Sequence, residues 1–322
     1  MSEAPLLAIE GLDVRLQADR RRMHVLRNVS LEIGANKVVG LVGESGSGKS
    51  TLALAILGML PDTATVSARR FRFDAIDSDR YEPLEGERGR SLAMVFQDPM
   101  SALNPLFSVG SLMVEAQRAR YPAAGRGELW DRAEAMLARV GVPDARQRMR
   151  LHPHAFSGGM RQRVMIAMAF LVEPKLLLAD EPTTALDATI EAQIIALLRE
   201  LREQTRCSVL LVSHSLGLVA ELCEEILVMY AGEIVERGRA EDVLERPLHP
   251  YTRALLACEI DPAEPVTRDA PLRTIAGSVP DLAAPPPGCI FAGRCPLRHE
   301  RCDTAPPVVV RDGGQSAACW LA

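Results

Sequence analysis

Apolar positions along this chain switch between two spacings, every second residue and three to four residues apart, and the switches mark its elements. Residues 6 to 17 and 25 to 33 alternate, with Val14, Leu16, Val29, Leu31 and Ile33 on the apolar side, and predict two strands. Val38 to Val42 is a short, nearly continuous apolar run that ends in a glycine-rich loop, as a buried parallel strand does when a helix follows it. Leu52, Ala53, Ala55 and Ile56 continue that helix to Gly58, and Pro61 closes it. A strand at Leu92 to Phe96 is followed by helical periodicity from about Val109 to Phe170. Further apolar strands are predicted at Lys175 to Ala179, Ser208 to Val212 and Ile226 to Tyr230. A helix from Thr189 to Arg206 separates the first two and lines up Ile190, Ile194, Leu197, Leu198 and Leu201 on one face. Strands alternating with helices predict a parallel α/β core, and the block between Gln97 and Asp180 reads as an inserted helical subdomain. Short helices at Ala240 to Glu245 and Tyr251 to Cys258 lead into a proline-rich stretch from Pro262. No internal repeat or coiled-coil heptad is present.

Composition narrows the class. A chain of 322 residues, 48% apolar and 25% charged, is an ordinary globular protein with room for a large core and a smaller appended unit. Its longest apolar run, Leu52 to Leu60, falls far short of the ~20 residues needed to cross a bilayer. The start, Met1-Ser2-Glu3-Ala4-Pro5, lacks the basic and apolar segments of a secretory signal, so a cytoplasmic chain is expected. A net charge of -5 gives no electrostatic footprint for nucleic acid, and Arg20-Arg21-Arg22 reads as a solvated loop. Seven cysteines in that compartment predict thiols rather than disulfides. Cys207, Cys223 and Cys258 are isolated, whereas Cys289, Cys295, Cys302 and Cys319 crowd the last part of the chain.

The candidate chemistry begins at Gly43-Glu44-Ser45-Gly46-Ser47-Gly48-Lys49-Ser50, between a strand and a helix. Glycines there let backbone N–H groups wrap phosphates, and the following helix adds its positive end. Lys49 would reach the β and γ phosphates and the Ser50 hydroxyl would coordinate Mg²⁺, with Thr51 a secondary contact. Asp180 ends an apolar strand, where a carboxylate can hold Mg²⁺, and Glu181 beside it is the natural general base for an attacking water. Ser157 is a good helix N-cap, and Gly158 and Gly159 leave N–H groups exposed at the helix start.

In their order, the phosphate loop, Gln97, Phe156-Ser157-Gly158-Gly159-Met160, Leu176 to Glu181 and Ser213-His214 resemble an ATP-binding-cassette (ABC) ATPase. Pro182-Thr183-Thr184-Ala185-Leu186-Asp187 resembles that family's D-loop. The resemblance implies a P-loop α/β core with an antiparallel β subdomain and an inserted helical subdomain at about 98–172. It gives His214 a contact to the γ phosphate, and Gln97 a role in sensing Mg²⁺ and nucleotide while facing a membrane partner. Ser157, Gly158 and Gly159 would complete the ATP site of a second cassette. Two departures stand out. Residues 1 to 70 contain no Phe, Tyr or Trp to stack on adenine, which leaves His24 or an arginine of Arg20-Arg21-Arg22 as substitutes. Ser215 follows His214 where close relatives often carry Asp.

Gln97-Asp98-Pro99-Met100-Ser101-Ala102-Leu103-Asn104-Pro105, Met160-Arg161-Gln162-Arg163 and His249-Pro250-Tyr251-Thr252-Arg253-Ala254-Leu255 are similar to the oligopeptide/dipeptide importer ATPases, which include nickel systems. So is the closing set Gly288-Cys289, Arg294-Cys295-Pro296, Arg301-Cys302 and Ala318-Cys319-Trp320. The expected division is a cassette over 1–238 and a small Cys-containing C-terminal domain over 239–322. The four tail cysteines are open to three readings: separate thiols, a zinc site that includes His299, or the [4Fe-4S] cluster that relatives carry. The subfamily implies a peripheral position on the cytoplasmic face of the inner membrane. Its partners would be two transmembrane permease subunits, a paralogous ATPase subunit and, through the complex, an extracytoplasmic solute-binding protein, with no nucleic acid. The rival is a soluble ABC ATPase of a nucleic-acid machine, which would bring long coiled coils or two cassettes in one chain.

Overall fold

The computed structural model describes residues 4–18, 21–184, 186–259 and 274–322. Arg20, Ala185 and the start of the proline-rich stretch at Pro262 lie outside the described residues. The chain forms two compact units, one of Met1–Gly34, Val38–Pro83 and Val212–Ala322, the other of Ala35–Lys37 and Leu84–Leu211.

The first unit opens with an antiparallel pair, β1 (Leu7–Ala18) and β2 (Arg21–Ile33). Leu7, Ile9, Leu12 and Val14 are buried, so the inward phase shifts by one residue between Ile9 and Leu12, where the register also shifts. A bulge there inserts one residue and restores the apolar face. Arg21 and Arg22 belong to β2, paired with Ala18 and Gln17, and so are not loop residues as the sequence suggested. The strand starts there because the hairpin register carries it past the apolar segment, and its exposed side accepts arginine. Next come β3 (Val38–Val42), buried throughout, and α1 (Lys49–Leu57), which Gly58 ends in the left-handed region. Three short strands, β4 (Thr65–Ser67), β5 (Arg70–Phe73) and β6 (Ile76–Ser78), complete an antiparallel sheet ordered β2-β1-β5-β6, with β4 on β1. Phe71 and Phe73 alternate with arginines and bury fully.

In the second unit β7 (Leu92–Val95) leads into α2 (Pro99–Ala102), α3 (Val109–Gln117), α4 (Arg126–Arg139), α5 (Ala145–Arg148) and α6 (Gly158–Phe170). The predicted helical block is therefore several helices, and Pro122, Pro143 and Pro153 fall in its breaks. Then follow β8 (Leu176–Asp180), α7 (Ala188–Thr205) and β9 (Ser208–Ser213), which ends at the boundary of the unit. β7 and β8 are parallel, and β9 lies beside β8. Ile194, Leu197, Leu198 and Leu201 are the buried face of α7, while Ile190 is half-buried.

The chain then returns to the first unit with α8 (Leu216–Leu222), β10 (Glu225–Tyr230), β11 (Glu233–Arg239), α9 (Ala240–Glu245) and α10 (Pro250–Ala257). β10 runs parallel to β3 and antiparallel to β11. Two tail strands, β12 (Val308–Val310) and β13 (Ser316–Ala318), extend this sheet through a β11–β13 pairing. Glu236, buried on β11, accepts hydrogen bonds from the Leu248 and His249 N–H groups and from Gln315 Nε2. One carboxylate thus ties the start of α10 and the tail to the sheet. Among the described residues no helix is long and apolar enough to cross a membrane.

Candidate functional site

The sequence-derived residues fall into two sets, one in each unit. In the first unit the loop between β3 and α1 is shaped by its glycines. A Cβ on Gly43 would stand 2.1 Å from the Met229 carbonyl oxygen, and Gly46, at φ 79, takes a left-handed conformation with open space beside it. Lys49 is buried, and its ammonium donates to the Gly43 and Glu44 carbonyl oxygens at 2.8 and 3.0 Å. The Ser47 N–H donates to the Glu44 carbonyl, which closes the turn before α1. Ser50 is exposed and Thr51 half-buried on the first turn of α1, with Ser45 and Gly48 completing the loop. Glu44 is held by partners that sequence reasoning missed. Its N–H donates to the Tyr251 hydroxyl at 2.8 Å, and its carboxylate accepts from both terminal nitrogens of Arg294, at 2.7 and 3.1 Å.

His214 follows β9 and is exposed. Ser215, the unusual residue after it, caps α8 by accepting from the Leu218 N–H. His24, a candidate substitute for the adenine-stacking aromatic, shares a hydrogen bond with Asp13. Burial shifts its pKa below the usual histidine value, against the upward pull of that bond.

The second unit brings Gln97 and Glu181 together. Gln97 Nε2 donates to Glu181 Oε2 at 2.9 Å, and the Thr184 hydroxyl donates to the same oxygen at 2.8 Å. Glu181 sits at φ 44, a left-handed conformation in which a non-glycine residue is strained, immediately after buried Asp180. Ser157 caps α6 by accepting from the Met160 N–H, and both Ser157 and Gly158 are exposed. The two signature glycines differ. A Cβ on Gly159 would meet Ile190 at 3.0 Å, so helix packing accounts for it, whereas Gly158 opens on free space. Gln162 Nε2 donates to the Pro182 carbonyl at 2.6 Å and joins the signature helix to the segment after Glu181. Asp187 caps α7 through the Ile190 N–H.

In the tail, Cys289, Cys295, Cys302 and Cys319 line one cavity together with His249, Phe291, His299 and Trp320. All seven cysteines are free thiols. Burial pushes the Cys289 thiol up to about 11, and the other three thiols of the cavity add to the rise. Among the described residues no three His, Cys, Asp or Glu side chains are grouped to hold a single metal ion.

Residues 26–184 match the ABC transporter family, and residues 235–302 match the oligopeptide/dipeptide transporter C-terminal region. The dipeptide transport ATP-binding protein DppD of Bacillus subtilis is 41% identical, over 98% of this chain and 94% of its own. The oligopeptide transport ATP-binding protein OppD of Salmonella typhimurium is 40% identical, over 98% and 93%. A dimeric ATP-binding cassette solved in a post-hydrolysis state with ADP and Pi is 26% identical, with a TM-score of 0.63 over 73% of this chain and 98% of that one. With relatives at this identity along nearly its whole length, the chain belongs to the ABC transporter ATP-binding proteins, in the branch that carries the oligopeptide/dipeptide transporter C-terminal region.

Proposed function

We propose that this chain is the ATP-hydrolysing motor of a membrane importer for dipeptides, oligopeptides or a related small solute. The transport names of its relatives support that cargo class, and no long coiled coil or second cassette supports the nucleic-acid alternative. Residues 1–238 act as the cassette, with 98–172 as its helical subdomain, and 239–322 form the C-terminal domain. Residues Gly43 to Thr51 bind the phosphates of ATP. Ser50, Gln97 and Asp180 serve Mg²⁺, Glu181 takes the proton of the attacking water, and His214 contacts the γ phosphate. Ser157, Gly158 and Gly159 serve the nucleotide of a paralogous ATPase subunit, so ATP closes a pair of cassettes and hydrolysis reopens it. The pair would work peripherally on the cytoplasmic face of the inner membrane, with two transmembrane permeases and a solute-binding protein.

The observation that carries this reading is the strained Glu181 turn, whose carboxylate is aligned by Gln97 and Thr184. Glu181→Gln keeps the shape and removes the basic oxygen. It should bind ATP within a few-fold of wild type in the assembled complex and hydrolyse it about 10²–10³-fold more slowly. Turnover within a few-fold of wild type would take Glu181 out of the role.

We also propose a [4Fe-4S] cluster in the tail, a reading supported by four thiols that line one cavity and form no disulfide. Cys289, Cys295, Cys302 and Cys319 would be the ligands. The cluster would supply a cross-link for a tail with little regular structure and no step of hydrolysis. Protein purified without oxygen should contain iron and acid-labile sulfide, and Cys295→Ser should lose both while ATP binding survives. Stoichiometric zinc, or metal-free protein with an ordered tail, would refute it.

A further inference from the structure

Glu44 places a carboxylate in a loop that binds a triphosphate, where a free negative charge would repel the ligand. Its surroundings remove that charge. Arg294 meets both carboxylate oxygens in a fork, and its side chain is only 5% exposed. The remaining guanidinium donors are also used: Nε on the Ala276 carbonyl at 2.9 Å, Nη2 on the Ile275 carbonyl at 2.9 Å and Nη1 on the Tyr230 hydroxyl at 3.3 Å. The plane of the fork is therefore fixed before nucleotide arrives, and an arginine stays charged throughout the working pH range.

The platform beneath this contact is aromatic. Tyr230, Tyr251 and Phe291 pack with ring centroids 4.6 to 5.4 Å apart. Tyr251 also uses its hydroxyl on the Glu44 N–H, so both backbone and side chain of Glu44 are gripped from the C-terminal region. Arg294 itself lies in the turn that carries Cys289 and Cys295, with its N–H on the Phe291 carbonyl at 2.9 Å.

We propose that Arg294 is a positioning residue for ATP binding, which neutralises Glu44 and holds the phosphate loop in its binding shape. The C-terminal region thereby becomes part of the nucleotide machinery. This deepens the reading of residues 43–51 as the ATP site and rests on it.

The test titrates ATP and ADP, as fluorescent analogues and by competition, against the full-length chain and its variants. Arg294→Gln keeps a planar polar end on a shorter side chain, and drops the charge and the fork. It should weaken ATP about tenfold, the equivalent of about 1.4 kcal/mol, and ADP less, because ADP carries less negative charge. Arg294→Lys, which keeps the charge without the fork, should lose only about threefold. Adding Glu44→Gln to Arg294→Gln should recover most of the lost affinity, an outcome that a packing role for Arg294 does not produce. ATP affinity within twofold of wild type in Arg294→Gln, or equal losses of ATP and ADP without rescue, would overturn the proposal. Lys49→Ala separates the two levels. If it retains wild-type affinity, residues 43–51 are not the ATP site; if it abolishes binding while Arg294→Gln changes nothing, only the role of Arg294 fails.

Discussion

Glu44 in the phosphate loop and Glu181 after β8 are both carboxylates in nucleotide motifs, but different kinds of bond hold them. Arg294 engages both oxygens of Glu44 in a charge-assisted fork, and the Glu44 N–H is bound to a buried tyrosine. Gln97 and Thr184 instead reach Oε2 of Glu181 with neutral donors, whose bonds to a carboxylate are worth about 1.5–3 kcal/mol each. The Glu181 backbone is left-handed, which costs about 1–2 kcal/mol for a non-glycine residue and offsets part of that gain. The phosphate loop is thus built to be in place before its ligand. Glu181, which we propose as the general base, is held through neutral donors that water and metal can replace during the reaction.

The largest test of this contrast is Gly43→Ala. Its Cβ would fall 2.1 Å from the Met229 carbonyl oxygen, and Met229 lies on β10, whose neighbouring residue Val228 pairs with Val42. Neither backbone can withdraw without breaking the sheet, so the variant should lose more than about 4 kcal/mol of stability and its nucleotide binding. Urea unfolding and nucleotide titration measure the two effects. A variant that stayed within about 1 kcal/mol of wild type and still bound ATP would show that the loop is not rigidly backed.

How much of this was legible in the sequence depended on the range of the contacts. The strands β3, β8, β9 and β10, and the helices α1, α7 and α9, follow from local periodicity, and their ends agree with the structure to within about two residues. The short strands β4 to β6 were missed, although Arg70-Phe71-Arg72-Phe73 carries the alternation, because three or four residues in a polar stretch form no window long enough to score. β12 escaped for a different reason. Val308-Val309-Val310 does not alternate, and its place in the sheet is set by β13 pairing with β11.

The same divide runs through the site. Asp180, Glu181, Gln97 and the phosphate loop are recognisable from neighbouring residues, but the grip on Glu44 is not. Arg294 and Tyr251 lie 250 and 207 residues from it in sequence, and each stands in a motif that points elsewhere, to the cysteines and to the hallmark after His249. Ser215 departs from the family pattern, and its function as a cap emerges only once α8 is seen to begin there.

The smaller test addresses the weakly held side of the comparison. Thr184→Val removes a donor to Glu181 Oε2, keeps the β-branched shape, and leaves Gln97 in place. Losing a hydrogen bond to a carboxylate, worth about 1.5 kcal/mol in this half-buried turn, should slow hydrolysis about tenfold. ATP affinity and the melting temperature should hardly move, because the phosphate loop is braced through its own partners. The comparison makes the sign specific: a variant at the Glu181 turn acts on kcat, whereas one at the Glu44 clamp acts on affinity. Steady-state kinetics in the assembled complex, read beside nucleotide titration, distinguish them. If Thr184→Val weakened ATP binding and left kcat intact, Glu181 would be part of the preformed binding surface, and the division between a rigid loop and an exchangeable carboxylate would fail.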